Sequence, residues 1–234
     1  MNKEEFIKAV EELGIEVDED KLNKLDKFYS LLIDWNEKIN LTAITKEEDV
    51  YLKHFYDSLT LYKEVDLKEN IKLCDVGTGA GFPGIVLKIF FPNLNIVLVD
   101  SLNKRVTYLN EVIKELGLYN IIAVHTRMED YSRVHEEEFD IITARAVANI
   151  KVLSEICVRA LKINGRLVFM KANIDEEFDN LTNMINTLGL KDLKINKFLL
   201  PIENSNRALV SLEKIHKTNE KYPRSIDKIK KNTL

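Results

Sequence analysis

The sequence predicts an α/β protein: a doubly wound, mostly parallel sheet with an antiparallel edge strand, preceded by a helical extension. Three observations carry this. From residue 70 onward, short apolar runs alternate with stretches of helical period, the pattern of βαβ units with right-handed crossovers. The first run leads into a turn holding three glycines, "DVGTGAGFPG" (75–84). The last two apolar runs have no helix between them, which makes them an antiparallel pair at one edge.

The elements follow in order. Over residues 18–39, Leu22, Leu25, Phe28, Leu32, Trp35 and Ile39 recur at steps of three or four, so they share one helix face, with Asp18 as N-cap. Trp35 reads as core on that stripe. Residues 45–65 read as a second helix, opened by a Thr45–Glu48 capping box. Strands are expected at 71–77, 95–101, 120–126, 139–146 and 165–172. Helices are expected at 103–118, 149–165 and 175–190, and the late strands at 194–201 and 207–215. The division is a helical extension (1–66), a main domain (67–216) and a basic C-terminal tail (217–234).

Composition bounds the class. The chain has 234 residues, 45% of them hydrophobic, enough for a sizeable core. No apolar run approaches the roughly 20 residues of a membrane span. The N-terminus is acidic and amphipathic, unlike a signal peptide. Cys74 and Cys157 lie in apolar settings without a CxxC pair and read as reduced core thiols. A cytoplasmic protein without a metal site is expected. Net charge is −4, but it is unevenly spread. Residues 1–20 hold eight acids against two lysines, whereas residues 214–234 hold seven bases against two acids. A basic end of that kind can meet a polyanion inside an acidic protein.

The glycine turn points to the ligand. In a doubly wound sheet, ligands sit at the carboxyl ends of the strands. Gly77, Gly79 and Gly81 give the spacing GxGxG, whereas the dinucleotide fingerprint is GxGxxG. Asp75, in the turn, suits a ligand amino group better than a pyrophosphate. Asp100 ends the second strand, 23 residues after Gly77, where a carboxylate accepts both hydroxyls of a ribose. Together these favour an adenosine ligand without a diphosphate, and S-adenosylmethionine (SAM) fits. After the third strand, Glu129 is placed to accept from an adenine amino group and Met128 to pack on the ring. Arg145 projects from the end of the fourth strand into the cleft. A hydride-transferring dehydrogenase is disfavoured by the glycine spacing and by Asp75.

Further blocks carry a resemblance. "WNEKINLTAI" (35–44), "HFYDSL" (54–59), "DVGTGAGFPGIVLKI" (75–89), "VDSLNKRVTYLNEV" (99–112), "ARAVA" (144–148) and "KYPR" (221–224) resemble the bacterial small-subunit ribosomal RNA guanine-N7 methyltransferases, also called the glucose-inhibited division protein B family. The resemblance implies a class I SAM-dependent methyltransferase fold and methyl transfer to N7 of guanine 527 in the 530 loop of 16S rRNA, within the small ribosomal subunit. Carried onto this chain, it implies cofactor contacts at Gly77, Phe82, Asp100, Ser101, Leu102, Met128, Glu129 and Arg145; from its place in the cleft, Arg145 is also the catalytic candidate.

Guanine N7 carries a lone pair and no proton, so no strong general base is required. That agrees with the lack of a nucleophile–base pattern. His54 reads as a satisfied structural histidine, with a place in the cleft as the alternative, and Asp57 as an acceptor for charge developing on the guanine. N7 lies on the major-groove edge, which is inaccessible in A-form RNA, so an unpaired or flipped base is expected. Lys171, Lys221 and Arg224 are candidate RNA contacts. A monomer is expected. The competing readings are a SAM methyltransferase for another RNA, a protein or a small molecule, and a non-enzymatic RNA-binding factor.

Overall fold

The structure, a computed structural model, describes residues 1–172 and 181–234. The first third is helical, as its apolar stripes require. α1 (Lys3–Glu12) opens with a capping box between Asn2 and Glu5. α2 (Glu19–Ile39) is capped by Asp18, whose side chain accepts from the Lys21 amide at 2.8 Å. Its stripe buries Leu25, Phe28 and Leu32 completely, while Leu22, Trp35 and Ile39 pack at the margin. Full burial of each such side chain stabilises by about 1.5–3 kcal/mol. α2 ends at Asn40, which is left-handed at φ 51°. Asn36 Oδ1 then accepts from the amides of Leu41 (2.7 Å) and Thr42 (2.8 Å), turning the chain back across the helix end.

The next segment corrects an expectation. The Thr45–Glu48 capping box does not form. α3 (Glu47–Val50) starts behind Lys46, and the Thr45 carbonyl instead accepts the Tyr29 hydroxyl at 3.0 Å. The chain then widens into a π-helical turn, Tyr51–Tyr56, before α4 (Asp57–Leu59) and a 3₁₀ turn, Thr60–Lys63. Such π turns inside helices concentrate at functional sites. This one carries His54.

The sheet follows the expected alternation. Its elements are β1 (Lys72–Val76), α5 (Gly84–Phe90), β2 (Asn95–Asp100), α6 (Asn103–Glu115), β3 (Ile121–His125), α7 (Met128–Val134), β4 (Phe139–Arg145), α8 (Ile150–Cys157), β5 (Leu161–Lys171), α9 (Leu181–Leu188), β6 (Leu190–Leu199), β7 (Asn206–Lys214) and α10 (Ile226–Lys231). The strand order is β3-β2-β1-β4-β5-β7-β6. β3, β2, β1, β4 and β5 are parallel, and β7 runs antiparallel to both β5 and β6. The antiparallel strand thus lies one position in from the edge, with β6 outermost. The order reverses between β1 and β4, which is where ligands bind in such sheets.

Two strands begin earlier than expected. β6 starts at Leu190, where the strand was expected from 194. β5 begins at Leu161, taking residues that the helical period had assigned to α8, with an irregular register opposite Phe139 and Ile141. Residues 175–180 of the expected helix 175–190 lie outside the described residues.

The core has two clusters. One joins Phe6, Phe28 and Phe55 to Phe82, Leu87, Leu98 and Tyr108, so the N-terminal helices share it with α5, α6 and the strands. The other joins Cys74, Met128, Phe139 and Leu153 to Tyr222 and Ile229 of the C-terminal segment. The basic tail is therefore docked, and it ends in a helix. Cys74 and Cys157 are free and buried, and burial pushes both thiols up. No helix among the described residues is long and apolar enough to cross a membrane.

Candidate active site

The site grows from the turn after β1. Asp75 is fully buried under it. Its Oδ2 accepts from the Thr78 hydroxyl at 2.6 Å and from the Gly84 amide at 2.8 Å. Asp75 therefore ties the glycine turn to the first residue of α5, which replaces the expectation that it meets a ligand amino group. Burial raises its carboxyl to about 6. A Cβ on Gly84 would lie 2.3 Å from Leu98 Cδ2 and 2.9 Å from Asp75 Oδ2. The final glycine of "GFPG" is thus a close-packing requirement where α5 crosses the sheet. Gly77, at φ 63°, is left-handed, and a Cβ there would meet Val147 Cγ2 at 2.7 Å.

Asp100 is 2% exposed at the end of β2. Its Oδ2 accepts from the Gly79 amide at 2.9 Å and its Oδ1 from the Leu102 amide at 2.9 Å, with Arg105 Nη1 at 3.4 Å. A carboxylate has about four lone-pair sites, so these three donors leave capacity for a ligand hydroxyl. Gly77, Asp100, Ser101, Met128 and Glu129 line one cavity of about 300 Å³. Met128 and Glu129 are 3% and 7% exposed and begin α7, a helix the sequence pattern did not predict. Leu102 is exposed and acts through its backbone.

A second group gathers around Arg145 at the end of β4. Its Nη1 donates to the Lys53 carbonyl (2.9 Å) and to Asp57 Oδ2 (3.0 Å), and its Nη2 donates to His54 Nδ1 (3.1 Å). A guanidinium only donates, so Nδ1 is unprotonated and Nε2 carries the hydrogen, which it gives to Thr42 Oγ1 at 3.0 Å. Burial, followed by the Arg145 charge, drives the His54 pKa down to about 3, so the imidazole is neutral. It stacks on Phe82 at 4.4 Å, and the Arg145 guanidinium stands 5.1 Å from the same ring. Asp57 Oδ1 accepts from Arg207 Nε on β7 at 2.9 Å. Both Asp57 oxygens are thus taken by arginines, which corrects the reading of Asp57 as a free acceptor. The residue after Arg145, Ala146, is left-handed at φ 55°, backbone strain of a kind found at working sites.

These groups line neighbouring cavities at the carboxyl ends of the strands that share lining residues. A cavity of about 220 Å³ joins Gly77, Gly79 and Phe82 to Thr42, His54 and Arg145. It shares His54 and Arg145 with a cleft of about 560 Å³ bordered by Lys53, His54, Asp57, Arg145, Lys171 and Arg207. Lys171 is in the cleft as expected, and its Nζ donates to the Ala148 carbonyl. Arg224 does not line these cavities. It forks onto Glu155, Nε to Oε1 at 2.7 Å and Nη2 to Oε2 at 2.6 Å, and Glu155 is 1% exposed. Lys221 is exposed, with its ammonium 5.0 Å from the Tyr222 ring. Sequence reasoning missed Thr42, Lys53 and Arg207. Thr42 lay inside a block quoted for the resemblance, whereas Arg207 is a strand residue with no local signal.

Comparison with known proteins agrees with this geometry. The GidB family, described as rRNA small subunit methyltransferase G, matches residues 21–210. A protein of Lysinibacillus sphaericus named ribosomal RNA small subunit methyltransferase G is 46% identical, covering 96% of this chain and 95% of its own. The protein of that name from Bacillus subtilis is 45% identical over the same shares. Among solved structures, a mutant of MtNAS in complex with S-adenosylmethionine matches with a TM-score of 0.55 and 15% identity, covering 84% of this chain and 76% of that one. The structural likeness shows the fold, that of class I SAM-dependent methyltransferases. Sequence and fold together place the chain in the family of rRNA small subunit methyltransferase G.

Proposed function

We propose that the chain methylates N7 of one guanine, guanine 527 of 16S rRNA in the small ribosomal subunit, with SAM as methyl donor. Family membership supports the reaction class. The observation that carries the site assignment is a row of adjoining cavities: one with Gly77, Asp100 and Glu129 shares Gly77 with a second, and that second shares Arg145 with a basic cleft. The residues present fit the cofactor. Asp100 keeps acceptor capacity for a ribose, Met128 offers an apolar surface for a base, and the left-handed Gly77 lets a ligand approach the backbone.

Bound SAM supplies a methyl group already activated on a sulfonium, so the protein has to align and not deprotonate. Gly77, Gly79 and Phe82 hold the middle of this row, and Asp100 and Glu129 hold the nucleoside end. His54 has both ring nitrogens engaged and is neutral, so it is no general base here. It acts as a brace that sets Arg145 against Phe82. Arg145 is the catalytic residue of this reading: it stands where the two cavities meet and orients the target base. Asp57 neutralises part of the local positive charge, which matters because the methylated guanine becomes cationic. Lys53, Lys171 and Arg207 suit phosphates flanking an unpaired base. Holding N7 in line with the methyl carbon and sulfur is catalysis by orientation. The chain works in this reading as a cytoplasmic monomer.

The test is calorimetry followed by transfer. Asp100→Ala is expected to weaken SAM binding more than tenfold, about the loss for charge-assisted hydrogen bonds to a diol. Unchanged affinity would remove Asp100 from the cofactor site.

A further inference from the structure

The C-terminal segment is built more firmly than a solvated basic tail requires. Arg224 meets Glu155 of α8 with its side chain and also with its backbone amide, at 3.1 Å. Arg133 of α7 donates to the Pro223 carbonyl at 3.1 Å. Arg159, just past α8, donates to the Glu220 carbonyl at 3.2 Å. Tyr222 and Ile229 are 5% and 0% exposed. Three arginines, Arg133, Arg159 and Arg224, hold residues 220–224 by side chain or backbone, which is needed only if position matters there.

What the clamp positions is α10. Ile229 packs in the core cluster, while Ile226 and Lys230, one helical turn apart, lie beside it on the helix. Both border the 300 Å³ cavity that also holds Gly77, Asp100, Met128 and Glu129. Ile226 is half-buried and outside the core cluster, so its apolar surface lacks the packing that Ile229 has. Two carboxylates, Asp100 and Glu129, and two cations, Arg127 and Lys230, border the cavity. That balance suits a neutral nucleoside better than a diphosphate.

We infer that α10 is the outer wall of the nucleoside pocket, with Ile226 and Lys230 as cofactor-binding residues and Arg224–Glu155 as the positioning pair behind them. This rests on the SAM reading of the site. It replaces the expected role of the tail as an RNA arm. Ile226 covers an apolar ring face, and Lys230 donates to a ring nitrogen or ribose oxygen.

The experiment is isothermal titration of the full chain with S-adenosylhomocysteine, alongside filter binding to unmodified small ribosomal subunits. Ile226→Ala is expected to weaken S-adenosylhomocysteine binding about tenfold, as loss of apolar cover predicts. Lys230→Gln should weaken it about threefold, a single exposed charge contact. Both residues lie outside the core, so melting temperature should stay near wild type, and subunit binding should hold. Arg224→Gln should weaken the same binding while lowering the melting temperature. Affinities for both pocket variants within about twofold of wild type would overturn the proposal. So would loss of subunit binding with S-adenosylhomocysteine binding intact, which would restore the RNA arm. Wild-type protein that fails to bind S-adenosylhomocysteine would defeat the SAM reading itself, a separate outcome.

Discussion

Asp57→Ala is the sharpest perturbation of the site. Asp57 is 4% exposed and carries two arginines on one carboxylate, Arg145 at 3.0 Å and Arg207 at 2.9 Å. Those side chains are only 14% and 17% exposed, so both stay largely buried when their partner goes. Removing one member of a buried pair costs about 3–5 kcal/mol, since the remaining charge is left uncompensated. For a chain this long, each kcal/mol moves the melting temperature by roughly 2–4 °C, so a fall of about 10 °C is expected. The single tryptophan, Trp35, packs 5.7 Å from Tyr108 between α2 and α6 and reports urea unfolding by fluorescence. Asp57→Asn keeps one acceptor oxygen and should lose about half as much. SAM affinity should barely change, because Asp57 does not border the nucleoside cavity. Methyl transfer should collapse, because Arg145 loses its anchor to α4. A stability loss under about 1 kcal/mol for Asp57→Ala would refute the reasoning and mean that water already shares those arginines.

Three further outcomes follow from the same geometry. His54 has a folded pKa lowered from 6.5 to about 3, so its stabilising contribution is full above 6.5 and is lost as pH falls through that value toward 3. The wild-type advantage over His54→Gln in urea should therefore shrink between pH 7 and pH 5, and a growing advantage would contradict the neutral brace. Asp75 is raised from 3.8 to about 6, so its contribution is full below 3.8 and is lost as pH rises through about 6. Asp75→Asn should gain on wild type between pH 5 and pH 7 in the same assay, and a pH-independent difference would contradict its burial. Gly84→Ala places a methyl 2.3 Å from Leu98 and should lower stability by about 1–3 kcal/mol, read as a fall in melting temperature.

The parallel half of the fold was legible because each strand and helix buries a periodic face. α2 shows it most clearly: its stripe, cap and end follow from side chains local to the helix. What was not legible depends on pairs remote in sequence. Thr45 looked like a cap, yet the Tyr29 hydroxyl claims its carbonyl and the helix starts later. The basic run 214–234 read as a surface for a polyanion, since nothing nearby announces that Glu155 waits for Arg224. Asp75 shows the subtler failure. Its place in the turn was read correctly, but its direction was not, because Gly84 nine residues on supplies the amide that draws it inward. Asp100 and the glycines stand together because they close one turn, with the Gly79 amide donating to Asp100 Oδ2. The Arg145–His54–Asp57–Arg207 group joins β4, a π turn, α4 and β7, and only the sheet order brings those together.

One measurement tests the central claim most directly. Small ribosomal subunits lacking the modification are incubated with the protein and methyl-tritiated SAM, and the labelled nucleotide is mapped, with Arg145→Ala in parallel. Label confined to N7 of guanine 527 with wild type, and absent with Arg145→Ala despite retained S-adenosylhomocysteine binding, is the predicted result. Label on another base or on a ribosomal protein, or undiminished transfer by Arg145→Ala, would contradict it.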